Sequence, residues 1–88
     1  MFVSKDKASS YFKDKFEGIY NQLKSEDASC FEEAEFFFDL SLIYIIDGNQ
    51  DELIFGLHNR GVQDNCQGMY GESTFLMPFE DIIPLIKL

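Results

Sequence analysis

A stripe of apolar residues dominates the first quarter of the chain. Ala8, Phe12, Phe16, Ile19, Tyr20 and Leu23 recur at the spacing of one face of a 3.6-residue helix. Lys13, Asp14, Glu17 and Lys24 fall off that stripe and suit a solvent side. Ser9 or Ser10 offers a hydroxyl to cap the free amides at a helix start. Gly18 costs about 1 kcal/mol relative to alanine, which the large anchors outweigh. The spacing predicts a helix over residues 8–24, and its dry face must find a second layer to pack on.

Residues 29–46 carry two patterns. Ser29-Cys-Phe-Glu32 fits a capping box, and Glu32 and Glu33 suit the positive end of a helix. From Phe36 the period becomes two: Phe36, Phe38, Leu40, Leu42, Tyr44 and Ile46 alternate with Phe37, Asp39, Ser41, Ile43 and Ile45. A helical turn at 29–34 followed by a strand over 35–46 is expected. One continuous helix here would be apolar all round, which suits a fully buried element better than one in so small a protein.

Turn chemistry organises the remainder. Asp47, Gly48 and Asn49 predict a hairpin, with a returning strand over 52–59 that places Leu53, Phe55 and Leu57 on one face. Asn59-Arg-Gly61 ends it, and residues 62–71 are polar and glycine-containing, a loop whose length suggests a functional surface or mobility. Residues 73–78 predict a third strand. Pro78, Glu80 and Asp81 open a terminal helix over the last eleven residues, which Pro84 limits. The expected fold class is α+β: one domain over residues 1–88, with an N-terminal amphipathic helix and a short C-terminal helix on a three-stranded antiparallel sheet. A two-helix hairpin followed by a small β unit is the alternative.

Charge is the feature that points outward. Residues 25–52 hold nine acids and no Lys or Arg, while residues 1–24 are net +2 and residues 53–88 net −2, for a total of −9. Nucleic acid and anionic membrane surfaces are therefore not expected as partners, because both need clustered Lys and Arg. A basic protein surface is the complement. The acids Glu26, Asp27, Glu32, Glu33, Glu35, Asp39, Asp47, Asp51 and Glu52, with Phe37 as an aromatic anchor, form the expected partner-binding set. Asp39 is expected on the exposed side of the strand, flanked on the same face by Phe37 and Ser41. A solvated face that keeps an apolar-rich chain dispersed would use the same acids, although mixed signs serve that purpose better.

Candidate chemistry is sparse. Asp47, Asn49 and Asp51 begin as a calcium loop does, but Glu52 and His58 stand where that loop needs Gly and a bidentate Glu. His58 with Cys30 or Cys66 has the makings of a base and a nucleophile without an activating context. The same three residues lack metal-ligand spacing, and Gly68-Met-Tyr-Gly71 lacks the pattern of a phosphate cradle. No cofactor, no metal and no catalysis are expected. The two cysteines are too few for a disulfide scaffold; two buried thiols, in keeping with a cytoplasmic protein, are expected, with a single Cys30–Cys66 bridge the alternative. The start has no apolar stretch like a signal peptide, and no apolar run reaches the ~20 residues of a spanning helix.

Residues 51–61 (DELIFGLHNRG) and 74–86 (TFLMPFEDIIPLI) resemble the end of the SUKH immunity superfamily, with strands leading into a Phe-anchored terminal helix. The resemblance covers about the last 35 residues, and the chain as a whole is similar in style to small acidic toxin-immunity proteins, including those of contact-dependent growth inhibition. It implies a bacterial, non-catalytic inhibitor that covers the active site of a basic, nuclease-type toxin, and it transfers no site residues. A phage-type inhibitor of a nucleic-acid enzyme (anti-CRISPR or anti-restriction) shares that physics. A homodimeric regulatory module that pairs exposed strand edges is the alternative of another class, the oligomeric state being a monomer or a weak homodimer, and a small enzyme using His58 and a cysteine is a third.

Overall fold

A computed structural model describes residues 5–85. Helix α1 spans Lys5–Glu26 and turns Ala8, Phe12, Phe16 and Tyr20 inward, all of them buried. It begins upstream of Ser9 and Ser10, which therefore lie inside the helix rather than at its cap. Three strands follow: β1 (Tyr44–Gly48), β2 (Glu52–His58) and β3 (Glu72–Pro78), antiparallel in the order β1-β2-β3. Between β2 and β3 lies the short helix α2 (Gln67–Tyr70), and after β3 comes α3 (Phe79–Ile82). The fold is α+β, as the periodicities require.

One face of the sheet is the floor of the main core. Phe55 and Leu57 of β2 and Met77 of β3 meet Phe12 and Phe16 of α1, and Ile82 and Leu85 close the end. The aromatic rings pack edge to face, Phe12 on Phe55 at 5.1 Å and Phe16 on Phe75 at 5.0 Å between centroids. Such geometry sets the positive ring edge against the negative face. A second cluster joins Tyr20 to Cys30, Phe31, Ala34, Val62 and Tyr70.

The strand expected over 35–46 forms only from Tyr44. The Asp39 carboxylate accepts from the Ser41 amide at 2.9 Å and from the Ser41 hydroxyl at 2.7 Å, winding Leu40–Leu42 into a 3-10 turn. An Asx turn offers the backbone an alternative to ladder pairing, so it overrides the alternating pattern. Asp39 thus caps a turn instead of sharing a strand face with Phe37 and Ser41. The hairpin stands as expected: Asn49 Oδ1 accepts from the amides of Asp51 and Glu52, and Gly48 faces Leu53. A bulge at Ile46 bends β1.

The helical turn near 29–34 is a 3-10 helix over Ala28–Phe31 with Asp27, not Ser29, at its N-cap. Residues 62–71 differ most from expectation. They wind into a 3-10 turn (Asp64–Cys66) and α2, and they bury Val62 and Tyr70. Cys66 is bonded to Cys30, so the two cysteines are a disulfide rather than thiols. Gln63 N–H donates to the Cys30 carbonyl at 3.2 Å and its side-chain amide to the Ser29 carbonyl at 2.8 Å, which docks the segment against Ala28–Phe31. Gly61 makes the approach possible: its φ is +80°, and a Cβ there would stand 2.6 Å from the Glu33 carbonyl oxygen. The terminal helix is short, passing at Ile83–Leu85 into a 3-10 turn that contains Pro84. Its expected continuation to Leu88 lies outside the described residues.

Candidate partner-binding surface

The acidic block does not fold into one patch. Asp51 and Glu52 lie at the hairpin end of the sheet, where they line a cleft with Pro78, Phe79 and Glu80. The Asp51 carbonyl accepts the Phe79 amide at 2.9 Å, which ties the hairpin turn to the start of α3 and fixes that acidic end. Asp47, in β1, is exposed beside it and accepts from the Gly48 amide at 2.7 Å. Glu33 and Glu35 lie beyond the other end of β2, about 20 Å away by the rise of a strand, in a recess with Phe37, Arg60 and Gly61. Glu26 and Glu32 are exposed nearby in sequence, whereas Asp27 is half-buried and accepts from the Ser29 hydroxyl at 2.6 Å.

Phe37 is exposed, but the cation on its ring is the chain's own: the Arg60 guanidinium sits 4.2 Å from the ring centroid. Tyr20, buried with its hydroxyl unbonded, has its phenol pushed up by burial and further by the Glu35 carboxylate.

Between the two acidic ends lies the second face of the sheet, which neither α1 nor α3 covers. Tyr44, Ile46 and Leu76 are between a third and a half exposed there, beside Ile54, Thr74, His58 and Glu72. Alternation along β2 and β3 puts these residues opposite the core set. Tyr44 crosses the middle strand to donate a hydrogen bond to the Glu72 carboxylate on β3. The crossing needs Gly56, since a Cβ at that position would lie 2.6 Å from Tyr44 Cε2 and 2.8 Å from Ile46 Cδ1. Burial, and then the hydrogen bond and charge of Glu72, push the Tyr44 phenol up to about 12, so Tyr44 remains the donor. Tyr44, His58, Glu72 and Thr74, with Gln67 and Met69 of α2, line a cleft of about 480 Å³.

The sequence shows the acids but neither their separation nor this face. The alternating pattern puts Tyr44 and Ile46 in a longer strand and leaves Glu72 just outside the expected third strand. The signal was Gly56, a strand-interior glycine of the kind that marks a close approach. Asn59 and the two cysteines have roles that local pattern does not show. Asn59 is buried, donates to the Tyr70 carbonyl at 2.9 Å and accepts from the Ser73 hydroxyl at 3.1 Å, joining β2, α2 and β3. Cys30 and Cys66 leave no free thiol, which removes the nucleophile from the His58–cysteine pairing.

Neither a family model, nor a curated protein, nor a solved structure matches the chain. Among the described residues, no helix is long and apolar enough to cross a membrane.

Proposed function

We propose that the chain is an acidic, non-catalytic binding protein that captures a basic protein. Within that class it is an immunity-type inhibitor that covers the active site of a nuclease-like toxin. One observation supports this reading above the others: an uncovered sheet face bearing Tyr44, Ile46 and Leu76 carries the Glu72 carboxylate and borders the acidic end formed by Asp51, Glu52 and Glu80. An apolar centre with a charged rim is the anatomy of a specific interface. The carboxylates stand in for substrate phosphates in a cationic cleft and steer association from a distance.

The protein encoded by the neighbouring reading frame is the partner to test. A complex on gel filtration that dissociates as salt rises is expected. Glu32→Lys with Glu33→Lys, or Asp51→Lys with Glu52→Lys, is expected to weaken it at least about tenfold. Absence of a complex, or one indifferent to salt and to all four substitutions, overturns the proposal.

A homodimer is favoured by a different observation, the exposure of β1 at all five of its positions on an unpaired sheet edge. Self-association opposes the charge of −9 on each copy, so sedimentation at low and high salt separates the two readings. Cytoplasmic placement belongs to the same proposal, and the disulfide bears on it, because such bridges persist in oxidising compartments. Trapping Cys30 and Cys66 in intact cells decides this: free thiols keep the protein in the cytoplasm, and a bridged pair places it outside.

A further inference from the structure

We infer that the cleft between β1, β3 and α2 is a receptor for one arginine side chain of a protein partner. This rests on the reading that the partner is basic, and it adds where and how one basic side chain is held.

The cleft is built around a single oriented carboxylate. Tyr44 donates to one oxygen of Glu72 across the glycine gap in β2. A carboxylate has about four acceptor sites on its two oxygens, so most of its capacity still faces the cleft, now in a fixed direction. No Lys or Arg lines the space; His58 is its one basic side chain and Glu72 its one carboxylate. Anionic ligands are disfavoured there, and a cation is not. Arg60, which follows β2, is engaged on Phe37.

The walls select among cations. Met69 is 73% exposed, the most exposed large apolar side chain among the described residues, and belongs to neither core cluster. Folding does not account for its position at the rim. Tyr44 keeps more than a third of its surface open on the same side. A guanidinium is flat, weakly hydrated and forked, so it stacks on an aromatic ring while its N–H groups meet a carboxylate. An ammonium satisfies the charge but gains less from the flat Tyr44 ring and the apolar Met69 side chain. Gln67 and Thr74 supply neutral polar groups at the edge. The volume of about 480 Å³ holds one such side chain with its stem.

The probe is N-acetyl-arginine amide, followed by NMR on the whole chain. Saturable shifts centred on the Met69 methyl and the Tyr44 ring are expected. The citrulline analogue, equal in shape but uncharged, is expected to bind at least about tenfold more weakly. Glu72→Gln retains an acceptor for Tyr44 and so keeps the sheet brace. It is expected to lose the preference for arginine over citrulline, a change that a purely structural role for Glu72 does not produce. Equal binding of the two probes, or no shift at Met69 and Tyr44, overturns the inference. Shifts confined to Glu33 and Glu35, or to Asp51 and Glu52, sink the cleft and leave the capture of a basic partner standing. No shift anywhere also sinks the cleft, while the gel-filtration experiment decides the broader reading separately.

Discussion

The same three strands present two faces that answer to different demands. On the covered face, Leu53, Phe55, Leu57, Ser73, Phe75 and Met77 are buried or half-buried, and α1 lays Phe12 and Phe16 across them. On the open face, Ile46 and Leu76 are about half exposed and no helix packs on them. Burial of a large side chain contributes roughly 1.5–3 kcal/mol, so the covered residues account for themselves through folding. The open ones gain only part of that on folding, and their apolar character suits a surface that is buried later. Fold and function are thus separated by a single alternation along β2 and β3.

Substitutions sharpen that separation in order of size. Phe16→Ala removes a fully buried ring of the covered face and is expected to cost about 3–5 kcal/mol in urea melts; a cost under about 1 kcal/mol would break the assignment of the core. Reduction, or Cys30→Ser with Cys66→Ser, releases a crosslink across 36 positions and is expected to cost about 2–4 kcal/mol. Tyr44 gives a smaller, pH-dependent effect. Its pKa is raised in the folded chain to about 12 from 10.0, so its contribution is complete below pH 10.0 and fades as pH rises toward 12. Tyr20 shifts the same way and adds to it. Melting temperature should fall across that window, and Tyr44→Phe should flatten part of the fall. Leu76→Ser on the open face is expected to cost no more than about 1.5 kcal/mol of stability, well below Phe16→Ala, while weakening partner capture. A large stability loss there would show that the face serves the fold after all.

Much of the covered face was legible because it depends on periodicity. The helix stripe, the Asp47-Gly-Asn turn and the alternation in 52–59 each state a local rule that tertiary packing did not override. The failures came where side chains rewrite the backbone locally or where distant segments meet. Asp39 and Ser41 interrupt an alternating run with an Asx turn. Cys30 meets Cys66 because 62–71 folds back on Ala28–Phe31, and no spacing announces that return. The acids were visible as a block in sequence, yet a hairpin and a turn between them carry Asp51 and Glu52 away from Glu33 and Glu35. A charge run gives composition, and only the path of the chain gives its placement. The arginine cleft was illegible for the same reason, since Tyr44 and Glu72 are 28 positions apart.

The Cys30–Cys66 bond also makes part of the chain a closed covalent ring that contains β1, the hairpin turn and β2, with α1 attached on one side and β3 on the other. A protease that cuts once between Phe31 and Asn65 opens the ring without parting the molecule, and the product runs as one band until reductant is added. A cut in α1 or β3 gives two bands on a denaturing gel even without reductant. The acidic hairpin is therefore the segment that can be nicked while the polypeptide stays in one piece.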